Sequence, residues 1–182
     1  TSVALAVAHH EASRWPEGVA FVDLVPARTP TDVLRALVDA LGVEGDAARS
    51  NAELGVYLSD RSMLIVMDNC EHVIDAAAEL IDVTLACGGT WRILATSREP
   101  FGLDEEHVIP IEPLGDAAIE LFVERARRLE PRVVWEASDP RIAELCARLD
   151  GLPLAVELAA GQVRRWSLAE LVAYSAWTAE IT

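Results

Sequence analysis

The chain contains no lysine: all 15 of its basic residues are arginine, so no side-chain ammonium is available to any site in it. Cysteine is scarce as well. Cys70, Cys87 and Cys146 are odd in number, widely spaced and form no CxxC pair. That fits reduced thiols rather than a disulfide frame. Cys70, Glu71 and His72 stand together, but no second ligand pair lies at zinc-site spacing. Long apolar runs are missing too. None approaches the roughly 18 residues that a membrane helix needs. The N-terminus lacks the basic segment that precedes the apolar part of a signal peptide. The expected location is cytoplasmic, with no membrane partner. Positive charge is in deficit: 30 acidic residues leave a net charge of −15 and a pI of about 4.5. Such a surface repels phosphate backbones, so no direct nucleic-acid binding is expected of this segment. GxSxG, HExxH and GxGxxG are absent, which leaves an ordinary metabolic α/β enzyme without a motif.

What is present is apolar. Hydrophobic residues make up 52% of the 182 positions, and the mean hydropathy is +0.23. That suffices for a sizeable core and argues against disorder. The organising stretch is Ser62-Met63-Leu64-Ile65-Val66-Met67-Asp68-Asn69-Cys70-Glu71-His72. Five apolar residues run unbroken and polarity switches at Asp68. A short continuous apolar run reads as a strand buried on both faces of a parallel sheet. In such sheets ligands bind at the carboxyl ends of the strands, which places Asp68 at the ligand edge. A carboxylate there suits Mg²⁺, a hard cation that favours oxygen ligands beside phosphates. Capping of the next helix is the plainer role for the same residue.

The remaining chain alternates around this strand. A helix is expected over 1–15, starting already inside an apolar pattern, and a turn at Pro16-Glu17-Gly18. Strand 19–24 follows. Thr29-Pro30-Thr31 opens a helix that Gly42 stops. A polar loop is expected over 44–50 and a short helix over 51–60. A helix over 73–86 ends at Gly88-Gly89, and the strand that begins at Trp91 closes on Thr96-Ser97-Arg98. A short strand is expected over 108–111, with Pro110 making it irregular or an edge. Beyond Gly115 the pattern is helical only, with helices over 116–129, from 138, to about 165 and from Ser167, where Ser167 and Glu170 form a capping box. The expected organisation is an α/β part over 1–114 and a helical subdomain over 115–182.

Three motifs in order now carry a resemblance. They are Leu64-Ile65-Val66-Met67-Asp68-Asn69-Cys70-Glu71-His72, Ile93-Leu94-Ala95-Thr96-Ser97-Arg98-Glu99-Pro100 and Leu149-Asp150-Gly151-Leu152-Pro153-Leu154-Ala155-Val156-Glu157-Leu158-Ala159-Ala160. Together they resemble the nucleotide-binding domain of bacterial STAND ATPases, which are similar to NB-ARC domains and sit in regulators that often carry a LuxR-type output. The resemblance covers nearly the whole chain. It implies a P-loop NTPase-like parallel sheet with flanking helices and a small helical subdomain, and an ATP- or ADP-controlled switch. It implies Mg²⁺ held by Asp68, commonly through water. It gives Arg98 the γ-phosphate, a task that suits a permanent, fork-shaped charge. It puts Pro153 of the GLPL motif against the adenine. Arg98 as a surface ion pair and Gly151-Leu152-Pro153 as a mere helix kink are the plainer alternatives.

Two departures from the family pattern shape the expectations. The strand and GxxxxGK[ST] loop that open the family are not present, and Thr1 stands where the motif's last Ser/Thr would be, as a second Mg²⁺ ligand through water. These residues alone are therefore expected to bind ATP or ADP weakly or not at all, and Mg-ATP or ADP belongs to the complete domain. The resemblance also puts the missing strand between the Thr96 strand and the 108–111 strand. The gap favours self-association, alongside contacts with other domains of a parent regulator. Next to Asp68 stands Asn69, a nucleotide-site candidate that is not an acid, so hydrolysis is expected to be slow at most. The competing reading is a non-catalytic interaction module.

Overall fold

The computed structural model of the chain describes residues 1–43 and 48–178, with side chains through residue 174. Of the expected polar loop over 44–50, residues 44–47 lie outside the described residues. The chain divides into two compact units, Thr1–Val108 and Ile109–Thr182.

The first unit is α/β, with a three-stranded parallel sheet and flanking helices. Strands β1 (Val19–Asp23), β2 (Leu64–Asp68) and β3 (Arg92–Ala95) lie in the order β1-β2-β3. The register pairs Ile65 with Ala20 on one side and with Ile93 on the other. Every residue of β2 is buried, because helices cover both faces of this central strand. One face carries Ala20, Val22, Ile65 and Met67. It packs on α2 (Pro30–Ala40), α3 (Asn51–Ser59) and α4 (Ile74–Leu85) through Val33, Leu37, Leu54, Leu58, Ala77 and Leu80. The opposite face carries Leu64 and Val66, which meet Ala4 and Ala8 of α1 (Ser2–Glu11). Two alanines one turn apart put a narrow apolar stripe on the sheet.

Local chemistry sets the ends of these elements. α2 opens with a capping box, in which Asp32 N–H donates to Thr29 Oγ1 at 3.3 Å and Thr29 N–H to Asp32 Oδ2 at 2.9 Å. The first helix is shorter than the 1–15 expected. It passes into a 3₁₀ turn at Ala12–Arg14, and Trp15 is extended because Pro16 follows it. The expected strand over 108–111 does not form. Pro110 lacks an N–H to donate, and Val108, Ile109 and Ile111 are exposed. Among the described residues the sheet ends at β3.

The second unit is helical: α5 (Ala117–Leu129), α6 (Pro140–Arg148), α7 (Pro153–Ala160) and α8 (Leu168–Thr178). Its core is Ala118, Phe122, Ala126, Ile142, Leu145 and Val156, with Trp135 packed on them. α7 ends at Ala160 rather than near 165. Gly161 follows, a poor helix former, and the chain goes on in turns. The capping box at Ser167 is present, with Ser167 N–H donating to Glu170 Oε2 at 2.7 Å.

Between α6 and α7 the chain turns through two left-handed residues, Asp150 at φ 52° and Gly151 at φ 61°. Leu114 N–H donates to Gly151 O at 3.0 Å, and Gly151 N–H donates to Cys146 O at 3.0 Å. A Cβ on Gly151 would lie 3.3 Å from the Gly115 nitrogen. Gly151→Ala is therefore expected to destabilise the helical unit by about 1–2 kcal/mol, the usual left-handed penalty of an L residue. Urea unfolding followed by circular dichroism checks this; a change below about 0.5 kcal/mol would show that the turn relaxes.

Candidate functional site

Polar residues close all three strands at one edge of the sheet. Asp23 ends β1, Asp68 ends β2, and Thr96 follows the last residue of β3. Asp23 and Asp68 are register partners. The parallel topology thus gathers the three polar ends where ligands bind in open α/β sheets.

Asp68 is the centre of the cluster and is only 2% exposed. Thr1 Oγ1 donates to its Oδ2 at 2.6 Å, across 67 residues of sequence. Thr96 Oγ1 donates to its Oδ1 at 2.6 Å. Asn69 Nδ2 donates to Oδ2 at 3.0 Å. Burial pushes the Asp68 carboxyl up, and the hydrogen bonds from the Thr1 and Thr96 hydroxyls pull it down. The net displacement is below the ordinary carboxylate range, so the group is ionised at neutral pH. Asp68 is not a helix cap. The 3₁₀ turn at Cys70–His72 begins after Asn69, and α4 begins after Val73.

Asn69 sits at φ 63°, ψ 50°, a left-handed conformation that Asn tolerates better than most residues. Its N–H donates to Thr96 Oγ1 at 3.1 Å. Its amide nitrogen also lies 3.5 Å from Asp23 Oδ1. With two carboxylates around it, the amide must present nitrogen, since its oxygen would repel both.

The other expected residues lie apart from this cluster or in the other unit. Arg98 is 88% exposed and its Nε lies 3.7 Å from Glu71 Oε1, an ion pair at the surface. Pro153 is the first residue of α7, in the second unit, between exposed Leu152 and Leu154. Cys70 is buried, its Sγ–H directed at Met67 O at 3.6 Å. Burial, then the Glu71 and Asp68 charges, push its thiol up to about 12, which removes it as a nucleophile or thiolate ligand. His72 Nε2 lies 2.9 Å from Leu24 O and 3.1 Å from Ala27 O, so that nitrogen carries the proton and donates. Among the described residues no group of three or more His, Cys, Asp or Glu is placed to hold a metal ion.

Sequence reasoning passed over Thr96 and Asp23 as site residues. The signal was present in both cases. Each is the first polar side chain after an apolar strand, the rule that singled out Asp68. The groups gathered at Asp68 are its carboxylate and two hydroxyls, hard oxygens that fit a Mg²⁺ ion better than zinc.

Comparison with known proteins gives the following. The chain is 39% identical over 171 residues to a Mycobacterium tuberculosis protein named "Putative HTH-type transcriptional regulator", and to its counterpart of the same name in Mycobacterium bovis. The match covers 92% of this chain and 19% of the regulator. A further relative is an uncharacterized protein of M. tuberculosis, 39% identical over 143 residues, covering 76% of this chain and 36% of that protein. The chain thus spans about a fifth of the length of the regulators that it matches. No family model matches. No solved structure matches. Among the described residues no helix is long and apolar enough to cross a membrane.

Proposed function

We propose that the α/β unit is the nucleotide-binding part of an ATP- or ADP-controlled switch, of the STAND and NB-ARC-like P-loop class, within a multidomain transcriptional regulator. The observation that carries this reading is the 2.6 Å hydrogen bond from Thr1 to Asp68. In P-loop NTPases a Ser or Thr at the start of the first helix and an aspartate at the end of a neighbouring strand hold Mg²⁺ jointly. Here Thr1 stands at the N-cap position of α1 and Asp68 ends β2, positions that support this reading. The regulator names of the relatives support the second half of the reading.

Thr1 and Asp68 are the residues that would hold Mg²⁺, and the ion when bound would neutralise charge on the β- and γ-phosphates. Thr96 orients the second oxygen of Asp68, and its hydroxyl also takes the Asn69 N–H. One oxygen thus links the ends of β2 and β3. Arg98, one strand away and tied to Glu71, is an exposed cation available to a phosphate once that weak pair is given up. Pro153 as an adenine contact remains part of the proposal through the resemblance of its motif alone.

The test is calorimetric titration of Mg-ATP and Mg-ADP into the full-length protein. Asp68→Asn and Thr1→Val are each expected to weaken Mg-nucleotide affinity at least tenfold, or about 1.4 kcal/mol. Unchanged affinity in both would sink the reading. Asp68→Asn has a second readout without nucleotide. A carboxylate whose folded pKa is lowered contributes stability that is present above its unfolded pKa, about 3.9. That stability is lost as pH falls through the folded pKa. The acid limb of the stability curve below about pH 4 should be shallower in the variant.

A further inference from the structure

A switch of this class must also return from the triphosphate to the diphosphate state, and the residue after Asp68 is an amide that accepts no proton. Glu71, the next acid in sequence, is paired with Arg98. The fold brings a different carboxylate to the edge. Asp23 is the register partner of Asp68 on the adjacent strand. Asp68 is buried beneath two hydroxyls, whereas Asp23 is exposed. The two carboxylates therefore divide naturally between holding a cation and meeting water. Asn69 is the link between them, with one amide nitrogen 3.0 Å from Asp68 Oδ2 and 3.5 Å from Asp23 Oδ1. The backbone of Asn69 is left-handed, at φ 63°.

We propose that Asp23 orients and deprotonates the water that hydrolyses a nucleoside triphosphate at the Asp68 site, with Asn69 as the positioning residue that holds Asp23 there. This rests on the nucleotide-binding reading above. In the step, the water oxygen bonds to the γ-phosphorus. The bond from that phosphorus to the β,γ-bridging oxygen breaks, and its electron pair leaves with the diphosphate. The proton of the water passes to the Asp23 carboxylate and then to solvent. An acid one strand away from Asp68 performs the task that an acid beside it would perform in related enzymes.

Asp23 also accepts a hydrogen bond from Val25 N–H at 2.9 Å, a turn contact. Asp23→Asn keeps an acceptor for that N–H and removes only the charge; Asp23→Ser is a second variant that keeps an acceptor. Asn69→Gly keeps access to the left-handed backbone and removes the amide. The experiment measures single-turnover phosphate release from Mg-ATP in the full-length protein, with Mg-ATP affinity and melting temperature recorded for each variant. Asp23→Asn and Asp23→Ser are expected to lower the rate by about 100-fold or more. Their affinity should stay within about threefold of wild type, a split that a structural role would not give. Asn69→Gly should lose about tenfold in rate, and Asp23→Glu should keep part of the rate that Asp23→Asn loses. The proposal is overturned if wild type binds Mg-ATP without hydrolysing it, or if both Asp23 variants bind and hydrolyse within threefold of wild type. Absence of binding in wild type overturns the nucleotide reading itself, and this inference with it.

Discussion

Phe122→Ala is expected to cost the helical unit about 3–5 kcal/mol, the range for deleting a fully buried aromatic ring. Phe122 has no exposed surface. Its ring meets that of Trp135 edge-on, at 6.0 Å and 77°. That arrangement sets the positive edge of one ring against the negative face of the other. Trp135 is itself fixed, with Nε1–H donating to Glu130 O at 3.2 Å and its own carbonyl accepting from Arg127 Nη2 at 2.7 Å. The partner ring is thus tied down and has little freedom to fill the cavity, which puts the cost toward the upper end. Urea unfolding measures the loss, and hydrogen exchange assigns it to the residues of the helical unit. A loss below about 1 kcal/mol would show that the cavity collapses at little cost. Phe122→Leu should lose less than half as much, because it keeps most of the volume.

Ile65→Ala is the corresponding expectation for the α/β unit, at about 2–5 kcal/mol. Ile65 lies at the middle of the sheet, 0% exposed, between Ala20 and Ile93 in register. The strand positions are held by the ladder, so the backbone has little room to move into the space left. Val56→Ala is the control on an exposed apolar residue of α3, 67% accessible, and should change stability by less than about 0.5 kcal/mol. Equal effects at the two positions would mean that β2 is not the centre of the core. Since whole domains have net stabilities of only about 5–15 kcal/mol, a loss of this size leaves the unit marginal at physiological temperature.

Much of the α/β unit was readable without coordinates. β2 was visible because burial on both faces writes five apolar residues in a row, a signal that does not depend on partners. The helices were visible from their starts, as at Thr29-Pro30 and Ser167, where caps act over three residues. One reading that failed needed a partner strand. Residues 108–111 are apolar and β-prone, yet no strand forms there, since a strand exists only through a ladder and Pro110 withholds a donor.

The sequence by itself determined that Asp68 stands at the carboxyl edge of a buried strand, because an apolar run and its polar stop are local facts. It determined the net negative charge and the absence of any lysine in the same way. Only the tertiary structure decided what surrounds Asp68. Thr1, Thr96 and Asp23 come from 67, 28 and 45 residues away, at the start of a helix and the ends of two other strands. Their convergence depends on strand order, parallel direction and register. Those are properties of the packed sheet, fixed by which faces bury together, and no short stretch of chain contains them.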